Sequence, residues 1–432
     1  LRTIFLAAIG WVMDKKGMRF RGASMMFQFF QEMEQGIDAS IRAGGGHASP
    51  RKRYTLEVAR LGRRLYSGRD KLAWCGVVAP FDLLNAMGVT SCFVEFVGAM
   101  LASTGTVGTF IEAADHLGYS SDACSFHRSV LGAAMQNAMP VPDVLIGTTN
   151  PCSGGLAVIE NLARHFSKPL FILHIPQDES GGNVPYLADQ IRRMARFVTD
   201  HTGLPLDQER LRRSIENTNR VHAIGSEVYE LARHVPSPAT SRDLNNFGIV
   251  MALFLGSEGA IEVAEAYRDA FRERIASGKG GVPGEKVRLL WIQNRMQFRH
   301  PLEKMLEEEY RASIVIDELN DFNWNPIDPD EPFEGLARRS IAIPFNGTVE
   351  TRVAHLQKLA RQYKVHGAVN PCNWGCRQGT GARGLIEVGL KEIGVPVLNL
   401  EVDCVDDRKF TEGQVRTRLE AFLEMLESRP SP

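Results

Sequence analysis

The chain of 432 residues has few of the features that mark secreted, membrane-spanning or nucleic-acid-binding proteins. Its seven cysteines are an odd number without the dense spacing of a disulfide scaffold, which favours free thiols or metal binding in a reducing compartment such as the cytoplasm. A formal net charge of −1 gives no bulk attraction to nucleic acid or to a membrane surface. The opening apolar run, LRTIFLAAIGWVM, is too short to span a bilayer, and we interpret it as the start of a packed helix.

Two common binding motifs are also missing from the sequence. No CxxC pair occurs, so a tetrahedral zinc site built from such pairs is not expected. No GxxxxGK[ST] motif occurs either, and the sequence therefore gives no sign that this chain hydrolyses ATP itself. The closest cysteine pair is Cys372 and Cys376, which three residues separate.

Runs rich in β-branched residues alternate with stretches of helical periodicity, and this pattern predicts an α/β protein with parallel sheets. Two stretches show this alternation, and helical periodicity dominates before and between them. The predicted organisation is an N-terminal helical region (1–68), a first α/β domain (69–183), a helical segment (184–284) and a second α/β domain (285–432).

Several apolar runs bounded by turn residues predict the strands of these domains. The expected strands lie at Lys71–Pro80, Val144–Gly147, Leu170–His174, Val287–Ile292, Ser313–Ile316, Ala368–Val369 and Val395–Leu400.

Three cysteines lie in polar or glycine-rich segments where chemistry is expected, because sites in such domains form just past the carboxyl ends of strands. Cys152 follows the strand VLIG and begins a helix, Cys376 lies in a loop expected to carry Cys372 as well, and Cys124 precedes a helix. Backbone amides at helix starts stabilise thiolates. Three dispersed thiolates suit an iron–sulfur cluster with one open iron, which is typical of catalysis.

Buried free cysteines also behave as small hydrophobic residues, and some of the seven cysteines are expected to have only this packing role. The apolar surroundings of Cys75, together with the positions of Cys92 and Cys404, favour core packing for these three. For Cys124, Cys152 and Cys376 the residues alone leave both interpretations open.

Three blocks of sequence resemble the 2-hydroxyacyl-CoA dehydratase component family, which also includes benzoyl-CoA reductase subunits. The blocks are DACSFHRSVLGAA with PVPDVLIGTTNPCSGG, then HGAVNPCNWGCRQGTG, and finally GVPVLNLEVDCVDDRKFTEGQVRTRLEAFLEML. The resemblance covers most of residues 71–426. It is weakest in the N-terminal helices and in the middle helical region.

The resemblance implies two Rossmann-like domains with a [4Fe-4S] cluster between them. By matching motifs, Cys124, Cys152 and Cys376 would be the ligands. Cys372 departs from this pattern, either as an auxiliary ligand or as a nearby thiol. His127 would supply a proton donor and Arg128 a positive charge beside an anionic substrate or cluster.

The family's chemistry implies a lyase that removes water from a 2-hydroxyacyl-CoA through a ketyl radical. The electron would come from a separate ATP-hydrolysing iron–sulfur activator, and a homologous second subunit would complete the enzyme. Alternatives that remain open are a benzoyl-CoA reductase-like subunit, a double-cubane reductase that uses more cysteines, and a non-catalytic electron-relay subunit.

Overall fold

A computed structural model of the protein describes residues 11–14, 17–20, 23–45, 48–244 and 247–429. Ten strands lie within these ranges. They are β1 (Trp11–Asp14), β2 (Gly17–Phe20), β3 (Leu72–Cys75), β4 (Thr90–Phe93), β5 (Val144–Thr148), β6 (Leu170–Leu173), β7 (Val287–Trp291), β8 (Ala312–Asp317), β9 (Gly367–Asn373) and β10 (Val397–Val402).

The helices of the described ranges flank these strands. They are α1 (Ala23–Ala43), α2 (Pro50–Leu65), α3 (Phe81–Ala86), α4 (Val94–Thr104), α5 (Val107–His116), α6 (Ser125–Met135), α7 (Ser153–Phe166), α8 (Asn183–Thr202), α9 (Gln208–Ala232), α10 (Phe247–Met251), α11 (Glu258–Ala276), α12 (Leu302–Lys304, continued as a π-helix over Met305–Glu309), α13 (Pro332–Ile341), α14 (Val349–Gln362), α15 (Arg377–Thr380), α16 (Arg383–Glu392) and α17 (Glu412–Glu427); short 3₁₀ turns cover Ala252–Phe254 and Asp407–Lys409. None of the helices in the described ranges is both long and apolar enough to cross a lipid bilayer.

Two parallel sheets of four strands each organise the chain, in the orders β4-β3-β5-β6 and β10-β9-β7-β8. Strands β3, β5, β7 and β8 are buried along their whole length. Strands covered on both faces read as continuous apolar runs, which is why the sequence pattern revealed them. The predicted α/β class with two parallel-sheet domains is confirmed, whereas the exact domain boundaries stay predictions.

The two sheets share one topology. In each, the first strand lies in the middle, the second strand lies on one side of it, and the third crosses to the other side. The order therefore reverses between β3 and β5 in the first sheet, and between β7 and β9 in the second. Loops at the carboxyl ends of strands diverge at such a point and leave a crevice.

The prediction of a helical N-terminal region is wrong over residues 11–14 and 17–20. Strands β1 and β2 pair antiparallel, with Trp11 opposite Phe20 and Asp14 opposite Gly17. Segments of four residues are too short for a helical period to be told from a strand period. The first ten residues of the expected opening helix lie outside the described residues. Helices α1 and α2 confirm the rest of the helical region.

Cys372 also differs from its predicted place in a loop, because β9 continues through it to Asn373. Pro371 suggested an earlier end to the strand. Its position in the sheet explains why it is tolerated: β7 pairs with β9 only over Gly367–Val369, so beyond this point one edge of β9 is free. A proline needs no partner for the missing N–H on a free edge.

Candidate functional site

A cavity of about 290 Å³ lies where the carboxyl ends of both sheets meet the helical segment. The side chains of Cys124, Cys152 and Cys376 all line it. Cys152 and Cys376 follow the strands β5 and β9, the two strands that cross at the reversal points of the sheets. The structure therefore brings together the three cysteines that the sequence places in polar or glycine-rich segments.

Cys124 is the residue before the first turn of α6 and packs against the loop that carries Cys376. The Nδ2 atom of Asn373 lies 3.8 Å from its Sγ, and the Oδ1 atom of Asn373 accepts a bond from the backbone N of Cys404 at 2.7 Å. Gly375 has a φ of 73°, and a Cβ there would lie 2.5 Å from the backbone N of Cys124. Only glycine permits this close approach of the two loops.

Cys152 caps the N-terminus of α7, where its Sγ accepts a hydrogen bond from the backbone N of Gly155 at 3.4 Å. A Cβ on Gly154 would lie 3.5 Å from this sulfur and 3.0 Å from the His127 ring. Because Gly154 and Gly155 have no side chains, the Cys152 thiol and the His127 imidazole can face the same space.

Cys376 occupies the equivalent position before α15, with its Sγ accepting from the backbone N of Gly379 at 3.3 Å. The Oε1 atom of Gln293 lies 3.6 Å from the same sulfur. Gln293 is buried and has a φ of 66°, an unusual conformation for a residue with a side chain. Its backbone N donates to Glu318 at 3.0 Å, and Arg352 binds both oxygens of that carboxylate.

Burial raises the pKa of all three cavity thiols above the ordinary value. The neighbouring Cys376 sulfur further raises the pKa of Cys124, whereas hydrogen bonds from the amides of Gly155 and Gly379 offset part of the rise in pKa at Cys152 and Cys376. Because buried sulfurs resist carrying negative charge together, the protein alone favours neutral thiols, and a bound cation would be needed to stabilise three thiolates.

His127 lines the cavity beside these thiols, and its role as a proton donor stays a prediction. Its Nε2 atom lies 3.6 Å from Oε1 of Glu95, which also lines the cavity. The other carboxylate oxygen, Oε2, is buried without a hydrogen-bond partner among the described residues. The buried imidazole of His127 and the half-buried carboxylate of Glu95 thus form an acid–imidazole pair at the thiol end of the cavity.

Two predicted site residues point elsewhere. Arg128 does not line the cavity: its guanidinium forms a two-pronged ion pair with Asp115 and donates to the Ser121 carbonyl oxygen at 3.2 Å. The guanidinium that was predicted to lie beside an anionic substrate or cluster is therefore paired with Asp115 instead. Cys372 is buried in β9, where its Sγ lies 3.8 Å from Oδ1 of Asn399, and it does not line the cavity either.

The three remaining cysteines are fully buried, which confirms the core-packing prediction. Cys75 and Cys92 lie in neighbouring strands of the first sheet, and Cys404 packs in the core of the second.

Sequence reasoning missed Glu95, Gln293 and Glu318; a signal existed for Gln293 and Glu318, whereas the strand before Glu95 was itself not predicted. Gln293 and Glu318 follow the strands β7 and β8 within two residues, and Glu95 follows β4 within two residues. The same rule about strand ends that selected the cysteines applies to polar residues in these positions.

Three thiols of one cavity are a donor set suited to soft metals and iron–sulfur clusters. Within the described ranges, no three His, Cys, Asp or Glu side chains are close enough to bind a single metal ion together. A cluster separates its ligands more widely than a single ion does, so the two kinds of centre make different demands on spacing.

Comparison with known proteins gives a consistent result. The family model of the 2-hydroxyglutaryl-CoA dehydratase D-component matches residues 76–426. The (R)-phenyllactyl-CoA dehydratase alpha subunit of Clostridium sporogenes is 24% identical over 373 residues, covering 83% of this chain and 90% of that protein. The lactoyl-CoA dehydratase alpha subunit of Anaerotignum propionicum is 24% identical over 392 residues (83% and 91%), and a benzoyl-CoA reductase subunit of Thauera aromatica is 25% identical over 383 residues (82% and 87%).

Proposed function

The chain belongs to the 2-hydroxyglutaryl-CoA dehydratase D-component family, and from this premise we propose that it is the iron–sulfur subunit of a 2-hydroxyacyl-CoA dehydratase. The reaction would be the removal of water from a 2-hydroxyacyl-CoA, which makes the enzyme a lyase. The observation that carries the proposal is the convergence of Cys124, Cys152 and Cys376 on one cavity. The names of the relatives from Clostridium sporogenes and Anaerotignum propionicum support the reaction class.

We propose that these three cysteines hold a [4Fe-4S] cluster. The fit rests on three soft donors, on the backbone amides aimed at two of the sulfurs, and on glycines that keep the space beside them free. When bound, such a cluster supplies one-electron transfer at low potential and an open iron that acts as a Lewis acid. Cys372 and Cys404 do not line the cavity, which favours three protein ligands over the larger set of a double cubane.

The residues around the thiols would donate protons to the substrate and exclude water from the cavity. A hydroxyl group leaves more easily when it receives a proton, and His127 lies on the cavity wall with Oε1 of Glu95 at 3.6 Å from its Nε2. The carboxylate would hold the imidazole in place and return a proton to it between turnovers. Apolar side chains cover much of the remaining wall, and they would keep water away from a reactive intermediate.

The proposal requires two other polypeptides. A separate ATP-hydrolysing activator would deliver the electron, since this sequence has no P-loop. A homologous second subunit would complete the enzyme, in keeping with the naming of the dehydratase relatives as alpha subunits.

A benzoyl-CoA reductase-like subunit is the second candidate, because the reductase subunit from Thauera aromatica matches over a comparable length. The products separate the two candidates. A dehydratase yields an enoyl-CoA and leaves the delivered electron available for further turnovers, whereas a reductase consumes electrons with every turnover.

The first test is to quantify iron and acid-labile sulfide after strictly anaerobic purification. We expect about four of each per chain. Replacing Cys124, Cys152 or Cys376 with alanine should lower this content sharply, whereas Cys75→Ala, at a buried thiol away from the cavity, should not. About eight irons would instead indicate a double cubane. Iron-free protein with normally folded variants would overturn the cluster proposal.

A further inference from the structure

The cavity has an aromatic wall that the three thiols and the His127–Glu95 pair leave unused. Tyr229 comes from α9, Phe247 from α10, and Phe322 and Trp324 from the loop after β8. The ring centroids of Tyr229 and Phe322 lie 5.5 Å apart, and those of Phe322 and Trp324 lie 5.4 Å apart. The four rings form one continuous surface, which we call the aromatic wall.

The aromatic wall presents apolar surface, rather than polar groups, to the cavity. The hydroxyl of Tyr229 is already engaged, since it lies 3.2 Å from Oδ1 of the buried Asn320. A Cβ on Gly225 would lie 2.6 Å from the Phe322 ring, so the backbone of α9 fixes that ring closely from behind. Stiff apolar surface of this kind favours ligand groups that are themselves apolar.

The charges around the cavity disfavour an anionic ligand group. Arg339 is the one arginine or lysine among the described lining residues, and both its terminal nitrogens bind the fully buried carboxylate of Asp82, at 2.7 and 2.8 Å. The lining also includes the carboxylates of Glu318, which Arg352 pairs, of Asp321, which lies 3.5 Å from the Lys358 ammonium, and of Glu95, beside His127. A further carboxylate brought in by a ligand would find no unpaired guanidinium or ammonium group on the part of the lining that the structure describes, and a buried charge without a partner is costly.

From these contacts we infer that the acyl group of the substrate is bulky and uncharged, with an aromatic or branched aliphatic side chain. The inference rests on the proposed function and narrows it, because the names of the family and of the two dehydratase relatives cover dicarboxylic, apolar and small acyl groups. The cavity of about 290 Å³ must also hold the cluster and the thioester, so the inference rests on the aromatic wall and the lining charges rather than on the volume. The side chain packs on the aromatic wall, while the thioester faces the thiol end.

A panel of four thioesters tests this inference by calorimetric titration of the anaerobic, cluster-loaded protein. The probes are (R)-phenyllactyl-CoA, (R)-2-hydroxyisocaproyl-CoA, lactoyl-CoA and (R)-2-hydroxyglutaryl-CoA. All share the CoA portion, so differences in affinity report the acyl group. The hydroxyisocaproyl and hydroxyglutaryl side chains have similar lengths and differ mainly in branching and charge. We expect both apolar probes to bind about tenfold or more tightly than the lactoyl and hydroxyglutaryl probes.

Two substitutions of Phe322 test whether the aromatic wall causes the preference for apolar acyl groups. Phe322→Ala should weaken binding of the phenyllactyl probe and leave the lactoyl probe unchanged, whereas Phe322→Leu should retain most of the affinity for both. Equal or tighter binding of (R)-2-hydroxyglutaryl-CoA by the wild-type protein would overturn the inference and leave the proposed function intact. Failure of all four probes to bind would overturn the proposed function itself.

Discussion

At the scale of single residues, Gly375 controls how the two cysteine loops meet. Its φ of 73° and the 2.5 Å that would separate a Cβ from the backbone N of Cys124 both require glycine. We expect Gly375→Ala to lower the free energy of unfolding by about 2–3 kcal/mol, because left-handed backbone strain and a backbone clash act together. Chemical denaturation measures this loss, and iron content should fall in the same variant.

Gly384 provides the control for that substitution. It lies exposed in α16 with no atom within 4 Å of the position of a Cβ. Gly384→Ala should be neutral or stabilise the protein by roughly 0.5–1 kcal/mol through helix propensity. An equal loss of stability and iron in both alanine variants would show that close approach at Gly375 is not the cause.

At the scale of secondary-structure elements, one buried ion pair joins α3 of the first sheet domain to α13. Asp82 in α3 is fully buried, and Arg339 in α13 binds both its oxygens, while Thr218 of α9 donates a third bond at 3.2 Å. Arg339→Met keeps much of the bulk but leaves the carboxylate buried and unpaired. We expect this variant to lose about 3–5 kcal/mol of unfolding free energy in a denaturant titration.

A double-mutant cycle separates the charge effect from lost packing. Adding Asp82→Asn to Arg339→Met should recover part of the loss, since the uncompensated charge is gone. The exposed pair between Arg42 and Asp38 in α1 is the matched control, and Arg42→Met should change stability by less than about 1 kcal/mol. Strict additivity of the two buried substitutions would contradict the proposed role of the pair.

The elements also show what the sequence could and could not predict. Strand β5 was predicted within one residue because both its faces are covered and its apolar run is unbroken. Strand β4 was missed, since Thr90–Phe93 is short and mixes polar with apolar residues. The three thiols in polar segments were identified from strand ends and motifs. The sequence did not predict that the side chains of Cys372 and Asn373 point to opposite faces of the sheet. That arrangement depends on how far β9 continues past Pro371.

At the scale of the whole molecule, the cavity is shared between two halves of equal topology. Cys124 and Cys152 belong to loops around the first sheet, whereas Cys376 belongs to the second. Gln293 and Glu318 add polar groups from the second sheet, and Glu95 and His127 add them from the first half. A group bound by all three thiols would therefore join the two halves and stabilise their common arrangement.

This joining leads to a prediction about metal removal. Anaerobic protein with its iron intact should unfold at a higher temperature than the same protein after oxidative loss of iron and chelation, because binding to the folded state alone adds stability. Calorimetry should show the two halves unfolding together in the loaded protein. A variant with Cys124, Cys152 and Cys376 all replaced by alanine should give one unfolding temperature under both treatments. If that variant lost as much stability on oxidation as the wild-type protein, the damage would lie at other residues, and a cluster that joins the halves would be excluded as its cause.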